Sequence, residues 1–182
     1  HSPYTTPSGN IHGMPIAAAL GLDHLHLAKN ELDAATIAYW NSLKSTAFLP
    51  QDLVYIGVRD TEPQEDAIMA ELALKNYTVA ELRHSGMANC LAAISAQLQD
   101  CDLIYVSFDV DSMDCDHVST GTGTPVPIGF FAEEIVRIFD ALLLSQKIVC
   151  IEFTEVNPLL DNKGNLMAET AFQVLDHIAK KI

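Results

Sequence analysis

The sequence predicts an α/β domain of three layers, a mainly parallel sheet flanked by helices on both faces. Two observations carry that prediction. LVYIGV (Leu53–Val58), LIYVSF (Leu103–Phe108) and IVCIEF (Ile148–Phe153) are short, apolar and rich in β-branched residues along most of their length. Strands covered on both faces read this way, because parallel sheets are buried under crossover helices. Between them lie helical patterns, and alternation of strand and helix generates βαβ units.

Taken in order, the first helix is expected over residues 31–43, followed by the strand at 53–58 and a helix over 65–74. A helix at 87–98 leads to the strand at 103–108, and a helix at 132–143 to the strand at 148–153. A last helix runs from about Ala168 to the C-terminus. No internal repeat, low-complexity tract or linker interrupts this order, and 182 residues suit one domain with a sizeable core.

Composition narrows the partners. The 24 acidic residues against 10 basic ones give a formal net charge of −14, which repels nucleic acid and anionic membrane surfaces. A cationic substrate or bound divalent metal is compatible with that field, and so is plain solubility. Cys90, Cys101, Cys115 and Cys150 form no Cys-x-x-Cys pair and read as reduced thiols of a cytoplasmic protein. No apolar run approaches a membrane span, and HSPYTTPSG has no signal-peptide pattern.

Beyond each strand the chain turns acidic. RDTEPQED brings Asp60, Glu62 and Glu65, DVDSMDCD brings Asp109 and Asp111, and TEVNP brings Glu155. Ligands of open α/β sheets bind beyond the carboxyl ends of the strands, so one rim collects carboxylates from three strands. Asp109 and Asp111, at i and i+2, face the same side if the strand stays regular. Such a pair repels unless a proton or cation lies between, and a hard divalent ion takes oxygen ligands. The alternative for this pair is a solvated loop with capping aspartates, and Asp114 and Asp116 read as loop or cap residues.

GTGTPVPIG (Gly121–Gly129) is a shaped loop without the lysine of a phosphate cradle, and reads as a wall of the site. SPYTTPSGNIHGMP (Ser2–Pro15) sets Thr5, Thr6, Ser8 and Asn10 beside His12. Its neutral donors can grip a carboxylate, and His12 can exchange protons near pH 7 unless it is merely structural or exposed. His24 and His26 in DHLHL sit among leucines and read as packing or surface residues. His84, His117 and His177 show no convergent partners.

Together these segments resemble the arginase branch of the ureohydrolase family. SGNIHGMP (Ser8–Pro15), GVRDTEPQE (Gly57–Glu65), SFDVDSMD (Ser107–Asp114), GTGTPVP (Gly121–Pro127) and EVNPLLD (Glu155–Asp161) occur in the order that family uses, across nearly the whole chain. The resemblance implies an arginase-like fold, hydrolysis of L-arginine to L-ornithine and urea, and two Mn²⁺ ions per site. It implies that Asp109 bridges both ions and Asp111 binds one. It implies that His12 shuttles protons and that Glu155 pairs with the substrate guanidinium. Thr6, Ser8 and Asn10 match positions holding the α-carboxylate, and Glu62 and Glu65 match those receiving the α-amino group. A homo-oligomer, trimer or hexamer, is implied as well.

The chain also departs from that pattern. Glu62 stands where an Asp is common, His1 where a substrate-contacting Asn is common, and the loop between Asp114 and Gly121 is slightly longer. The Gly-Gly-Asp-His and Asp-Ala-His-x-Asp segments that complete the family's ligand set are not in these 182 residues. The expectation is therefore a single arginase-like domain over residues 1–182, incomplete at its N-terminus. Agmatinase-type chemistry, or a non-catalytic binding or assembly role, is the alternative reading.

Overall fold

The computed structural model describes all 182 residues. In chain order it contains α1 (Pro15–Leu20), α2 (Ala34–Leu43), β1 (Tyr55–Ile56), α3 (Pro63–Glu71), β2 (Asn76–Tyr77), α4 (Val79–His84), α5 (Met87–Gln97), β3 (Ile104–Asp109), α6 (Ala132–Leu143), β4 (Ile148–Thr154) and α7 (Leu166–Ala179), with short 3-10 turns between. These residues form two compact units, His1–Val54 with Thr61–Lys75, and Tyr55–Asp60 with Asn76–Ile182.

The helix ends obey local capping. α2 starts at Ala34, later than expected, because the Asp33 carboxylate accepts the Thr36 N–H at 2.6 Å. α3 starts early because Pro63 occupies its first turn and the Glu65 carboxylate takes the Glu62 N–H at 3.0 Å. Two helices were not expected. α1 is set by Pro15 at its start and left-handed Gly21 at its end, and α4 by Thr78, whose hydroxyl accepts the Glu81 N–H at 3.1 Å.

In the first unit, Met14, Ala17 and Trp40 are buried together with Tyr4 and Ala18 against them. The Trp40 indole donates to Asp23 at 2.7 Å, and Lys44 donates to both Asp23 oxygens at 2.9 Å. Asn30 holds the first loop by donating to the Pro3 and Thr6 carbonyls at 2.9 and 2.7 Å.

In the second unit all strand pairing is parallel, but it falls into two ladders, β1 with β2 and β3 with β4. The six-residue strand expected at 53–58 keeps only two residues. Gly57 turns the chain with a positive φ, and the Asn76 side chain replaces the ladder by bonding both the N–H and the carbonyl of Val58. In the longer ladder Val106 pairs with Ile151 and Phe108 with Phe153. Phe108 meets Phe153 and Phe139 of α6 edge-on, with ring centres 5.0 and 5.8 Å apart. Helical stripes complete this core: Met87, Cys90, Leu91 and Ile94 on α5; Ile135, Ile138 and Phe139 on α6; Met167, Ala171, Val174 and Ile178 on α7. Each large apolar side chain so buried contributes about 1.5–3 kcal/mol.

The other face of β3 and β4 is open in these residues. Tyr105 and Val149 are 58% and 62% exposed, and the Ser107 hydroxyl donates to Glu152 at 2.6 Å on that side. Asp109, two residues beyond Ser107, ends the strand on the same face.

Candidate metal and substrate site

At the end of β3 the backbone leaves the extended conformation, and Val110–Ser112 form a 3-10 turn. Asp109 and Asp111 therefore do not share a regular strand, as the i, i+2 spacing suggested. They meet instead because the Asp109 carboxylate accepts the Asp111 N–H at 2.8 Å. The Asp111 carboxylate hydrogen-bonds the Thr122 hydroxyl, and that hydroxyl lies 3.0 Å from the Glu155 carbonyl. Thr122, from the loop expected to wall the site, is 1% exposed; its individual role was not foreseen.

The charges of Asp109 and Glu155 therefore act on Asp111 from two neighbouring strand ends. Burial, then the charge of Asp109, then that of Glu155, push Asp111 up to about 7, with the Thr124 N–H and Arg59 opposing. Thr122 has one proton to give. When Asp111 is neutral, its own O–H donates to Thr122, which then donates to the Glu155 carbonyl. When Asp111 is ionised, the two acceptors compete for that proton.

Glu155 comes just after β4 with φ +64°, a left-handed conformation that costs a non-glycine residue about 1–2 kcal/mol. Thr122 at its carbonyl helps hold it there, as does the Asn157 N–H, which donates to the Gly121 carbonyl at 2.8 Å. Gly123 leaves room beside the Glu155 carboxylate: a β-carbon there would stand 3.3 Å from Oε2.

Two further acids, Asp114 and Asp161, are structural. Asp114 accepts the N–H groups of Asp116, His117 and Gly129, each at 3.0 Å. Burial raises its pKa, but the backbone donors outweigh this and hold it below the usual carboxylate range. A β-carbon on Gly129 would overlap the Met113 backbone, so only glycine lets these two loops close. Asp161 accepts from Ser119, Lys163 and Met167 at 2.8–2.9 Å and anchors the far end of the wall.

In the first unit, the Thr6 hydroxyl accepts the Gly9 N–H and the Ser8 hydroxyl the Asn10 N–H, both at 3.2 Å. Thr6 is buried, whereas Ser8, Asn10 and His12 are exposed, His12 on the 3-10 turn Ile11–Gly13. Glu62 and Glu65 sit together at the start of α3, where one Glu65 oxygen caps the helix and the other lies 3.7 Å from His1 Nε2.

The other histidines are occupied elsewhere. His26 pairs with Glu71 at 2.9 Å and His24 lies edge-on to it. Three others have partners that spacing did not reveal: His84 contacts the Ala80 carbonyl, His117 lies against Phe131, and His177 meets Asp140 at 2.8 Å. No group of three or more His, Cys, Asp or Glu side chains converges where an ion could be held. Asp109 and Asp111 supply the hard oxygen donors a divalent cation prefers, but only part of a set.

Known proteins resemble the chain in both sequence and fold. A sequence model described as the Arginase family matches residues 1–180. The chain is 34% identical over 177 residues to an arginase of Bacillus subtilis (strain 168), covering 97% of this chain and 55% of that protein. The native arginase structure from Bacillus caldovelox aligns with a TM-score of 0.81 at 33% identity, over 98% of this chain and 56% of that one. Entamoeba histolytica arginase in complex with L-ornithine also gives a TM-score of 0.81, at 27% identity over 98% of this chain and 55% of that one. The chain spans about half the length of the curated relatives it matches. Its fold is the arginase-like α/β sandwich. With the family match running over nearly every residue, the chain belongs to the arginase family.

Proposed function

We propose that the protein hydrolyses the guanidinium group of L-arginine, giving L-ornithine and urea. The observation that carries this reading is the arginase-family match over residues 1–180, joined to the placement of Asp109, Asp111 and Glu155 at the ends of the paired strands β3 and β4. The repulsion these charges exert on Asp111 is relieved by cations, and the site offers two kinds of place for them. Asp109 and Asp111 would hold metal, two Mn²⁺ ions by the family resemblance, through hard carboxylate oxygens. Bound ions of this kind supply a water acidic enough to lose its proton near neutral pH.

Glu155 addresses the organic cation. Its carboxylate can accept two parallel N–H bonds from a planar guanidinium, and its left-handed backbone fixes the direction it points. In the reaction water adds to the guanidinium carbon, the bond from that carbon to Nε of the substrate breaks, and the departing amine takes a proton. His12, on the 3-10 turn Ile11–Gly13, relays protons between site and solvent, the role the family resemblance implies for it. Thr6, Ser8 and Asn10 hold the α-carboxylate through neutral donors. Glu62 and Glu65 receive the α-ammonium, Glu65 doing so with the oxygen that does not cap α3.

The protein acts as a homo-oligomer, trimer or hexamer, in the cytoplasm. No helix is long and apolar enough to cross a membrane. The test is urea release by the intact Mn²⁺-loaded protein from L-arginine and from agmatine. Release from arginine supports the assignment, and release from agmatine alone overturns the substrate. A second reading is a non-catalytic binding or assembly member of the same family. That reading is established if the natural protein carries no metal and releases no urea from either compound.

A further inference from the structure

Arg59 lies three residues beyond β1 and is half-buried, yet its terminal nitrogens bond no carboxylate. Nη1 donates to the carbonyls of Val126 and Pro127 at 2.9 and 2.8 Å. Nη2 donates to the carbonyl of Met113 at 3.2 Å and to that of Asp111. The Nε–H is buried without a hydrogen-bond partner. One planar fork therefore joins four carbonyl oxygens on two loops, the acidic loop after β3 and the loop that carries Thr122. A guanidinium suits this because its donors diverge in a fixed plane, whereas an ammonium offers them from one point.

The consequence falls on Asp111. Its N–H is held by the Asp109 carboxylate, its side chain by Thr122, and its carbonyl by Arg59. Removing Arg59 frees the third tether and unlinks the Val126–Pro127 segment in the same act. We infer that Arg59 is a positioning residue of the cation site, fixing where the Asp111 carboxylate stands without touching metal or substrate. The inference rests on the reading of Asp111 as a metal ligand.

Arg83 provides the control. It donates to the Gly129 carbonyl at 2.8 Å and pairs with both Glu134 oxygens at 2.7–2.8 Å, so it steadies the neighbouring backbone without bonding Asp111. Mn²⁺ binding to the intact protein is read by electron paramagnetic resonance of the free ion, and folding by circular dichroism and urea denaturation. Arg59→Met is expected to weaken Mn²⁺ binding by about ten-fold or more, as loss of a group orienting a ligand does. Arg59→Lys, the variant more certain to fold, recovers contact with one loop only and falls between parent and Arg59→Met. Arg83→Met lowers stability but leaves Mn²⁺ affinity within about two-fold. Folded Arg59 variants that bind Mn²⁺ like the parent, or an Arg83→Met loss as large as theirs, overturn the inference. A parent protein that binds no Mn²⁺ overturns the ligand reading itself, and this inference with it.

Discussion

Replacing Asp111 with asparagine should make the cation-free protein more stable, and only at neutral and alkaline pH. The carboxyl titrates at 3.8 in the unfolded chain and about 7 in the fold, because burial and the charges of Asp109 and Glu155 oppose its ionisation. Between those values the folded protein keeps a proton that the unfolded chain has given up. Stability therefore falls as pH rises from about 4 to 7, and is flat above. At ~1.4 kcal/mol per pH unit the full gap sets a ceiling of about 4 kcal/mol. Asp111 is only half-buried, and solvent screening brings the expected penalty to about 1–2 kcal/mol. Asparagine cannot ionise, and its amide can still bond Thr122. Urea denaturation in chelator, from pH 4 to pH 8, should show parent and Asp111→Asn nearly equal at the acid end. The gap then widens to about 1–2 kcal/mol by pH 7. A gap independent of pH, or a variant weaker than the parent at pH 8, would refute the account of repulsion. Added Mn²⁺ should reverse the order by stabilising the parent alone.

Two other substitutions probe the supports of the site. Thr122→Val keeps the shape but strips the hydroxyl from a buried position between Asp111 and the Glu155 carbonyl, and should cost about 1–3 kcal/mol in urea denaturation. A Thr122→Val protein as stable as its parent would show that the left-handed Glu155 needs no such tether. Trp40→Phe removes the indole donor to Asp23, which Lys44 continues to hold, and should cost about 2 kcal/mol in thermal unfolding. An unchanged midpoint there would place the stability of the first unit in apolar contact alone.

Much of the second unit was legible before folding. β3, β4, α5 and α6 lie within one or two residues of their expected places, because long apolar runs and 3.6-residue stripes are strong local signals. β1 lost most of its expected length to Gly57 and to a side chain 18 residues away, which spacing cannot report. β2 has only two residues and offered no period to read. At the site, Asp109, Asp111 and Glu155 were visible as acids just beyond apolar strands. Their supports were not. Thr122 reaches Glu155 across 33 residues and Arg59 reaches Asp111 across 52, and only the folded chain brings such pairs together. The turn after Asp109 also undid the same-face reading of the acidic pair, because the strand ends two residues before Asp111.

The two-strand ladders carry a consequence for handling the 182-residue polypeptide. A pair of strands with no third beside it offers its outer backbone to any extended segment that drifts past. Tyr105 and Val149 add greasy contact at the longer pair. The counterweight is the surplus of fourteen negative charges, which makes two copies repel before their backbones can zip together. Clumping should accordingly worsen toward the isoelectric point near pH 4.6 and in concentrated salt, where that repulsion is cancelled or masked.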